Sequence, residues 1–316
     1  MHNLPSDVHI MEVGMRDGLQ SEATLLSVEQ KLTILESILD SGIKEVEVGS
    51  FVNPKAVPQM ANTADVFREI RKRPGVKYRA LWLNMRGYEQ ARETGKVDLD
   101  AKLAITASET FSLRNTKRTI QDALQETREW MVRYREDGVG DWSLTVMSAF
   151  GCNFEGRIEP SKVVGLIRQV MDIAREEGVD IPEINLADTM GWANPVSIST
   201  LVSQVKQNWP QVEVKLHLHD TRGLAVANAM AGLQAGVRRF DASLGGIGGC
   251  PFAGNRGAAG NICTEDLVFL CEEQGIATGI DLDRAIGTAT LVQDYLQHSL
   301  PGKLLTGGSR SKFGIQ

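Results

Sequence analysis

Short runs of alternating apolar residues recur along this chain, and most are followed by a stretch whose apolar residues return every three or four positions. The first period is that of a strand with one buried face, the second that of an amphipathic helix. Residues 8–13 read as a first strand, ending at Gly14-Met15-Arg16-Asp17-Gly18, and 30–39 as a helix closed by Ser41-Gly42. Strands then follow at 46–48, 78–83, 101–105, 142–147, 184–187, 212–216 and 240–243. The intervening helices are placed at 61–71, 88–94, 120–136, 160–177, 195–209 and 224–235, with a last one at 265–273 and a further helix at 282–298.

The pattern is a βα unit repeated eight times, with no linker-like change in composition. It predicts an α/β fold with a parallel sheet, closed as a (β/α)8 TIM barrel with an extra C-terminal helix. A doubly wound open sheet is the competing architecture. It has no support from a glycine-rich G-x-G-x-x-G turn after the first strand or from a Walker loop. The expected organisation is one barrel domain over 1–300 and a mobile C-terminal tail over 301–316, Gly/Ser/Lys-rich from Gly307.

A barrel gathers the ends of its strands at one rim, where active sites are built. Here the rim residues are polar although the strands are apolar. Arg16 and Asp17 follow strand one, Glu47 lies in strand two, Asp188 follows strand six, and Leu216-His217-Leu218-His219-Asp220 ends strand seven. Cys250 and Asn261 lie after strand eight. Residues two apart on a strand share a face, so His217 and His219 form a pair of imidazoles able to hold one metal ion. Each residue also has a plainer reading. The histidines could fill a core, Asp188 could cap a turn, and Glu47 could pair with Lys44 or Arg79. The segment 245–261 is dense in glycine and encloses Cys250-Pro251-Phe252, which suits a mobile lid better than a spacer. A cysteine there could be an acid or base, a nucleophile or a metal ligand.

Composition narrows the partners. The net charge of −6 disfavours a general nucleic-acid or anionic-membrane surface. The start of the chain is polar, no apolar stretch is long enough to span a bilayer, and the four cysteines make no C-x-x-C pair. A reduced, cytoplasmic setting is expected, with no nucleic acid and no membrane as partner.

Several motifs together resemble those of the 3-hydroxy-3-methylglutaryl-CoA lyases. They are Val13-Gly14-Met15-Arg16-Asp17-Gly18-Leu19-Gln20, Ser50-Phe51-Val52-Asn53-Pro54-Lys55 with Val57-Pro58-Gln59-Met60, and Gly151-Cys152-Asn153-Phe154-Glu155-Gly156. The others are His217-Leu218-His219-Asp220-Thr221, Gly248-Gly249-Cys250-Pro251-Phe252, and Gly260-Asn261 with Thr264-Glu265-Asp266-Leu267. The resemblance implies a divalent cation, Mg²⁺ or Mn²⁺, on Asp17, His217, His219 and Asn261. It implies an acyl-CoA substrate and a retro-Claisen cleavage; a homodimer is the assembly considered. Arg16 would stabilise the thioester enolate and Cys250 would carry a proton, with Glu47 and Asp188 orienting ligands or relaying protons. Gln20 and Arg256 would contact the substrate, while Arg114, Lys117 and Arg118 form a basic cluster suited to the coenzyme A phosphates.

The sequence also departs from the family. Met15 stands where a proline is usual, Ala23 where the better-known lyases carry a lysine, and the lid is longer and adds Arg256. The chemistry expected is cleavage of 3-hydroxy-3-methylglutaryl-CoA to acetyl-CoA and acetoacetate. A related lyase for another 3-hydroxy acyl-CoA (with a longer 3-alkyl chain, or of malyl or citramalyl type) is the nearest alternative. A condensing acyltransferase of the same barrel is a second, usually marked by extra C-terminal domains for which the sequence leaves no room. A non-catalytic metal- or acyl-CoA-binding barrel is a third.

Overall fold

The protein is described by a computed structural model covering residues 4–249 and 260–314. In chain order its elements begin with β1 (His9–Glu12), α1 (Val28–Asp40), β2 (Glu45–Phe51), α2 (Thr63–Glu69), β3 (Lys77–Trp82) and α3 (Met85–Glu93). Then come β4 (Lys102–Thr106), α4 (Glu109–Asn115), α5 (Ile120–Glu136), β5 (Ser143–Met147) and a small hairpin of β6 (Gly151–Cys152) and β7 (Gly156–Arg157). The chain continues with α6 (Pro160–Glu176), β8 (Glu183–Ala187), α7 (Pro195–Asn208), β9 (Glu213–His217), α8 (Ala225–Gln234) and β10 (Arg239–Ala242). It closes with α9 (Thr264–Glu273), α10 (Leu282–Leu296) and α11 (Lys303–Gly307). Leaving the hairpin aside, eight parallel strands alternate with helices in the order expected of a (β/α)8 chain.

The helix starts follow from local chemistry. Ser27 accepts from the Gln30 amide while the Gln30 side chain accepts from Ser27 N, so two otherwise orphan donors are satisfied reciprocally at the start of α1. Thr119 with Asp122 and Asn194 with Ser197 repeat the device at α5 and α7. Proline opens α6 and α7, where its missing N–H costs nothing. Gly42 ends the turn after α1 at a φ of +103°, and a β-carbon there would meet the Gly279 carbonyl oxygen at 2.4 Å, so only glycine fits.

The chain divides into two compact units. The central unit is formed by Asp100–Phe240. Its strands pair in the order β4-β5-β8-β9, and β10 follows β9. One face of this sheet carries Leu103, Ile105, Leu144, Val146, Ile184, Leu186, Val214 and Leu216, each no more than 1% exposed, and α5 and α7 pack on β4 and β9. Burying such aliphatic side chains contributes roughly 1.5–3 kcal/mol each.

The terminal unit joins Ser6–Leu99 to Asp241–Gly249 and to the residues from 260 onward. Its strands run β3-β2-β1, and Val13 N donates to Ala242 O at the edge of β1. All seven residues of β2 are buried, as a strand covered on both faces requires. α1 turns Ile34, Leu35, Ile38 and Leu39 inward at helical spacing. Residues 303–307, within the segment expected to be a tail, form α11, whose first amides donate to Asp266. No helix among the described residues is long and apolar enough to cross a membrane.

Candidate active site

In the terminal unit the chain leaves β1 through one wide helical turn, Gly14–Gly18, closed by amides of Asp17 and Gly18 on Val13 O. The turn needs glycine at both ends. A β-carbon at Gly14 would meet Glu12 Oε1 at 2.5 Å, and one at Gly18 would meet Ile247 at 2.6 Å. It presents Arg16 and Asp17 side by side. Arg16 Nε donates to Glu47 Oε2 on β2, and Arg16 Nη1 donates to Asp17 Oδ1 at 2.6 Å. The sequence offered Lys44 or Arg79 as partners for Glu47. Arg16 bonds Glu47, and Arg79 bonds Glu45 at 2.9 Å. The cause is the two-residue period of β2, which separates Glu45 and Glu47 by one layer along the same face.

Asp17 is held on several sides. Gln20 Nε2 donates to its Oδ1 at 2.8 Å, and Asn261 Nδ2 donates to its Oδ2 at 2.8 Å. Asn261 Nδ2 also donates to Ile247 O at 3.2 Å. Both acceptors demand the amide nitrogen, so the orientation of Asn261 is fixed by chemistry. Its Oδ1 is buried with no hydrogen-bond partner among the described residues. Burial opposes the charge on Arg16, but Glu47, Asp17 and Asp241 outweigh it and raise its pKa above the ordinary arginine value. This is a guanidinium fixed in place and permanently charged.

Beneath this turn sits Glu12, fully buried at the end of β1. It accepts from Gly14 N at 2.7 Å, Leu244 N at 3.0 Å and Thr264 Oγ1 at 2.7 Å. Burial pushes its carboxyl up to about 8 against those three hydrogen bonds. Glu265, pushed up to about 7 by burial, accepts from Gly245 N. The sequence reading missed Glu12 and Asp241. The available signal was a carboxylate inside an apolar strand run, which must be hydrogen-bonded or functional to be retained.

In the central unit the pair on one strand face is realised. The His217 and His219 rings lie 5.0 Å apart, centre to centre, at 83° to each other. His219 Nδ1 lies 2.9 Å from the Asp188 carbonyl oxygen. A carbonyl can only accept, so Nδ1 carries the proton and Nε2 keeps the lone pair, the arrangement found in metal-bound histidines. Asp188 also has the capping role considered for it. Its Oδ1 accepts from Trp192 N at 2.7 Å and Ala193 N at 3.0 Å. Its Oδ2 is buried with no hydrogen-bond partner among the described residues, and burial raises the carboxyl to about 6 although His219 and His217 oppose this.

Beside these groups lies an apolar cluster of Phe111, Cys152 and Met190, with Met147, Phe154 and Trp192 packed against it. Trp192 Nε1 donates to Asn153 Oδ1 at 2.8 Å. The basic cluster after β4 is partly engaged. The Arg114 guanidinium sits 4.3 Å from the centre of the Phe154 ring and Arg118 pairs with Glu126, while Lys117 is exposed. Cys250 and Arg256 lie outside the described residues.

The donor set suits a divalent ion. Asp17 and Asn261 offer oxygens in the terminal unit, Asn261 with a buried oxygen turned away from its own amide contacts. His217 and His219 offer imidazoles in the central unit, one with its tautomer set. Carboxylate or amide oxygens and imidazole nitrogens are both ligand types that divalent cations take.

Residues 7–292 match the family model HMGL-like. The chain is 38% identical over 304 residues to the (R)-citramalyl-CoA lyase of Chloroflexus aurantiacus, covering 93% of this chain and 92% of that protein. It is 38% identical over 288 residues to the 3-hydroxy-3-isohexenylglutaryl-CoA/hydroxy-methylglutaryl-CoA lyase of Pseudomonas aeruginosa, covering 89% and 90% respectively. Among solved structures, an HMG-CoA lyase from Acinetobacter baumannii in complex with coenzyme A and 3-methylmalate superposes with a TM-score of 0.86 at 37% identity, covering 97% of this chain and 96% of the other.

Proposed function

The chain belongs to the HMGL-like family and is a carbon–carbon lyase of the (β/α)8 TIM-barrel class, and from that premise we propose that it cleaves 3-hydroxy-3-methylglutaryl-CoA to acetyl-CoA and acetoacetate. The observation that carries the reading is Arg16, half-buried and held between Glu47 and Asp17. Retro-Claisen cleavage moves the C2–C3 electron pair onto the thioester, and the enolate so formed needs a positive partner already in place. An arginine locked by two carboxylates meets that need without reorganising.

The roles of the other residues follow the same chemistry. Asp17, His217, His219 and Asn261 would hold one Mg²⁺ or Mn²⁺. When bound, such an ion lowers the pKa of the substrate's 3-hydroxyl and orients its oxygens. The 3-hydroxyl gives its proton to a carboxylate, for which Asp188 Oδ2 is the candidate. The C2–C3 bond breaks, C3 becomes the ketone of acetoacetate, and C2 takes a proton to give acetyl-CoA. Cys250 would deliver that proton. Glu47 fixes the direction of the Arg16 fork. Gln20 holds Asp17, and Arg256 would meet the substrate carboxylate. Arg114, Lys117 and Arg118 would dock the coenzyme A phosphates.

The equal identity to a citramalyl-CoA lyase supports a second reading on the same chemistry, with another 3-hydroxy acyl-CoA as substrate. The two are separated by a panel of purified 3-hydroxy acyl-CoAs, 3-methylglutaryl, longer 3-alkylglutaryl, malyl and citramalyl, assayed for acetyl-CoA release in Mg²⁺ or Mn²⁺. The first reading expects the highest kcat/KM on 3-hydroxy-3-methylglutaryl-CoA. Preference for citramalyl-CoA would replace it with the second. A chain active on none of them would overturn both.

A further inference from the structure

The registry of the central sheet places four residues in one layer at the carboxyl ends of its strands. Thr106 pairs with Met147, and Ala187 pairs with His217. Val146 pairs with Leu186, so one step further along puts Met147 beside Ala187. Directly paired residues of parallel neighbours share a face. The layer therefore reads Thr106, Met147, Ala187, His217, all on the face opposite the buried Leu144, Val146, Leu186 and Leu216. On that face Thr106 and Ala187 are buried and Met147 is half-buried. Ala104, two residues before Thr106, is exposed although Leu103 and Ile105 on either side are each 1% exposed. Thr145 and Met147 are half-buried on the same side. Met147 packs against the Phe111, Cys152 and Met190 cluster and keeps part of its surface exposed.

We propose that Met147 is a specificity-determining residue: its side chain, one strand removed from His217 across the small Ala187, is the wall against which the substrate's apolar 3-substituent packs. The inference rests on the lyase reading above and names the part of the substrate that this wall meets. Ala187 contributes only a methyl, which leaves room next to the imidazole for a substituent to reach Met147. A thioether on an unbranched stem is the adaptable kind of wall, able to yield to chains of different length. Thr106 cannot take the part, because its hydroxyl is engaged with the Met147 carbonyl and the Ser108 amide. A polar group on the substituent would find no charged side chain in this layer apart from the histidine.

The test compares kcat/KM for 3-hydroxy-3-methylglutaryl-CoA with that for a homologue bearing a five- or six-carbon apolar 3-substituent, in wild type, Met147→Ala and Met147→Phe. An apolar pocket discriminates one methylene by roughly 10–200-fold. Met147→Ala should move the ratio about tenfold or more toward the long chain, and Met147→Phe should move it the other way. Equal losses on both substrates in both variants would mean that Met147 only supports the fold, and the inference falls. The lyase reading is judged on wild type alone, so a wild type that cleaves neither substrate sinks that reading instead.

Discussion

The two units bring opposite kinds of surface to the chemistry. In the terminal unit the polar residues bond one another: Arg16 to Glu47 and Asp17, Asp17 to Gln20 and Asn261, Glu12 to three donors from three segments. In the central unit two histidines and the open oxygen of Asp188 stand next to methionine, alanine and tryptophan. A self-bonded charge cluster cannot adapt, which suits the role proposed for Arg16 at a feature every substrate shares, the enolate. An apolar wall tolerates change in shape at modest cost, which suits the role proposed for Met147 at the feature that varies, the 3-substituent. On the proposed roles, Arg16, the partner of the enolate, belongs to one unit and Met147, the wall for the 3-substituent, to the other, so variants at the two can be compared separately.

The comparison breaks first at the proposed metal ligands. His217→Ala and Asp17→Ala should each abolish turnover while the circular dichroism spectrum and melting profile stay near wild type. Full activity in either variant would remove that residue from the set. Arg16→Gln comes next. Losing one preorganised donor to a developing oxyanion costs about 10²–10³ in kcat, and the loss should fall on kcat rather than KM. A variant changed only in KM would make Arg16 a binding residue and the terminal unit no different in kind from the central one.

A smaller effect sharpens the account of Glu12. Its folded pKa of about 8 lies above the ordinary value of 4.5, so the folded protein prefers the protonated acid. The stabilising contribution is therefore complete below about pH 4.5 and is lost as pH rises through 8. Glu12→Gln keeps the shape and removes the titration. Melting temperatures of wild type and variant, followed from pH 5 to 8.5, should cross toward the variant by a few degrees at the alkaline end. Parallel profiles would show that Glu12 stays ionised and is stabilised by its donors. The smallest effect concerns the basic cluster. Charge reversal at Lys117 and Arg118 should raise KM for the acyl-CoA a few-fold, more at low ionic strength because exposed charges are screened by salt. A KM indifferent to both would place the coenzyme A phosphates elsewhere.

Much of this arrangement was legible in the sequence. The eight strands announce themselves because their buried faces alternate or run apolar, and Arg16, Asp17, Asp188, His217 and His219 stand out as polar groups at apolar strand ends. α4 and the β6–β7 hairpin were not foreseen. α4 is two turns long, begins at a Ser108 cap, and buries little beyond Phe111 and Ser112, so it carries no readable period. The hairpin has two residues per strand and is held by loop contacts. α2 proved shorter than 61–71, because Pro58–Met60 forms its own tight turn before it and Ile70 leaves helical geometry. The partner of Glu47 could not be read either. A single sequence shows which charges exist, and only strand pairing and the turn after β1 decide which of them meet.

The central proposal is that cleavage depends on one divalent cation held by Asp17, His217, His219 and Asn261. It is tested most directly by acetyl-CoA release from 3-hydroxy-3-methylglutaryl-CoA by exhaustively chelated protein, with Mg²⁺ or Mn²⁺ titrated back. The account predicts no release from the chelated protein, and recovery that saturates at one ion per chain with acetyl-CoA and acetoacetate formed in equal amounts. Release undiminished by chelation, or none after the ion is restored, would contradict it.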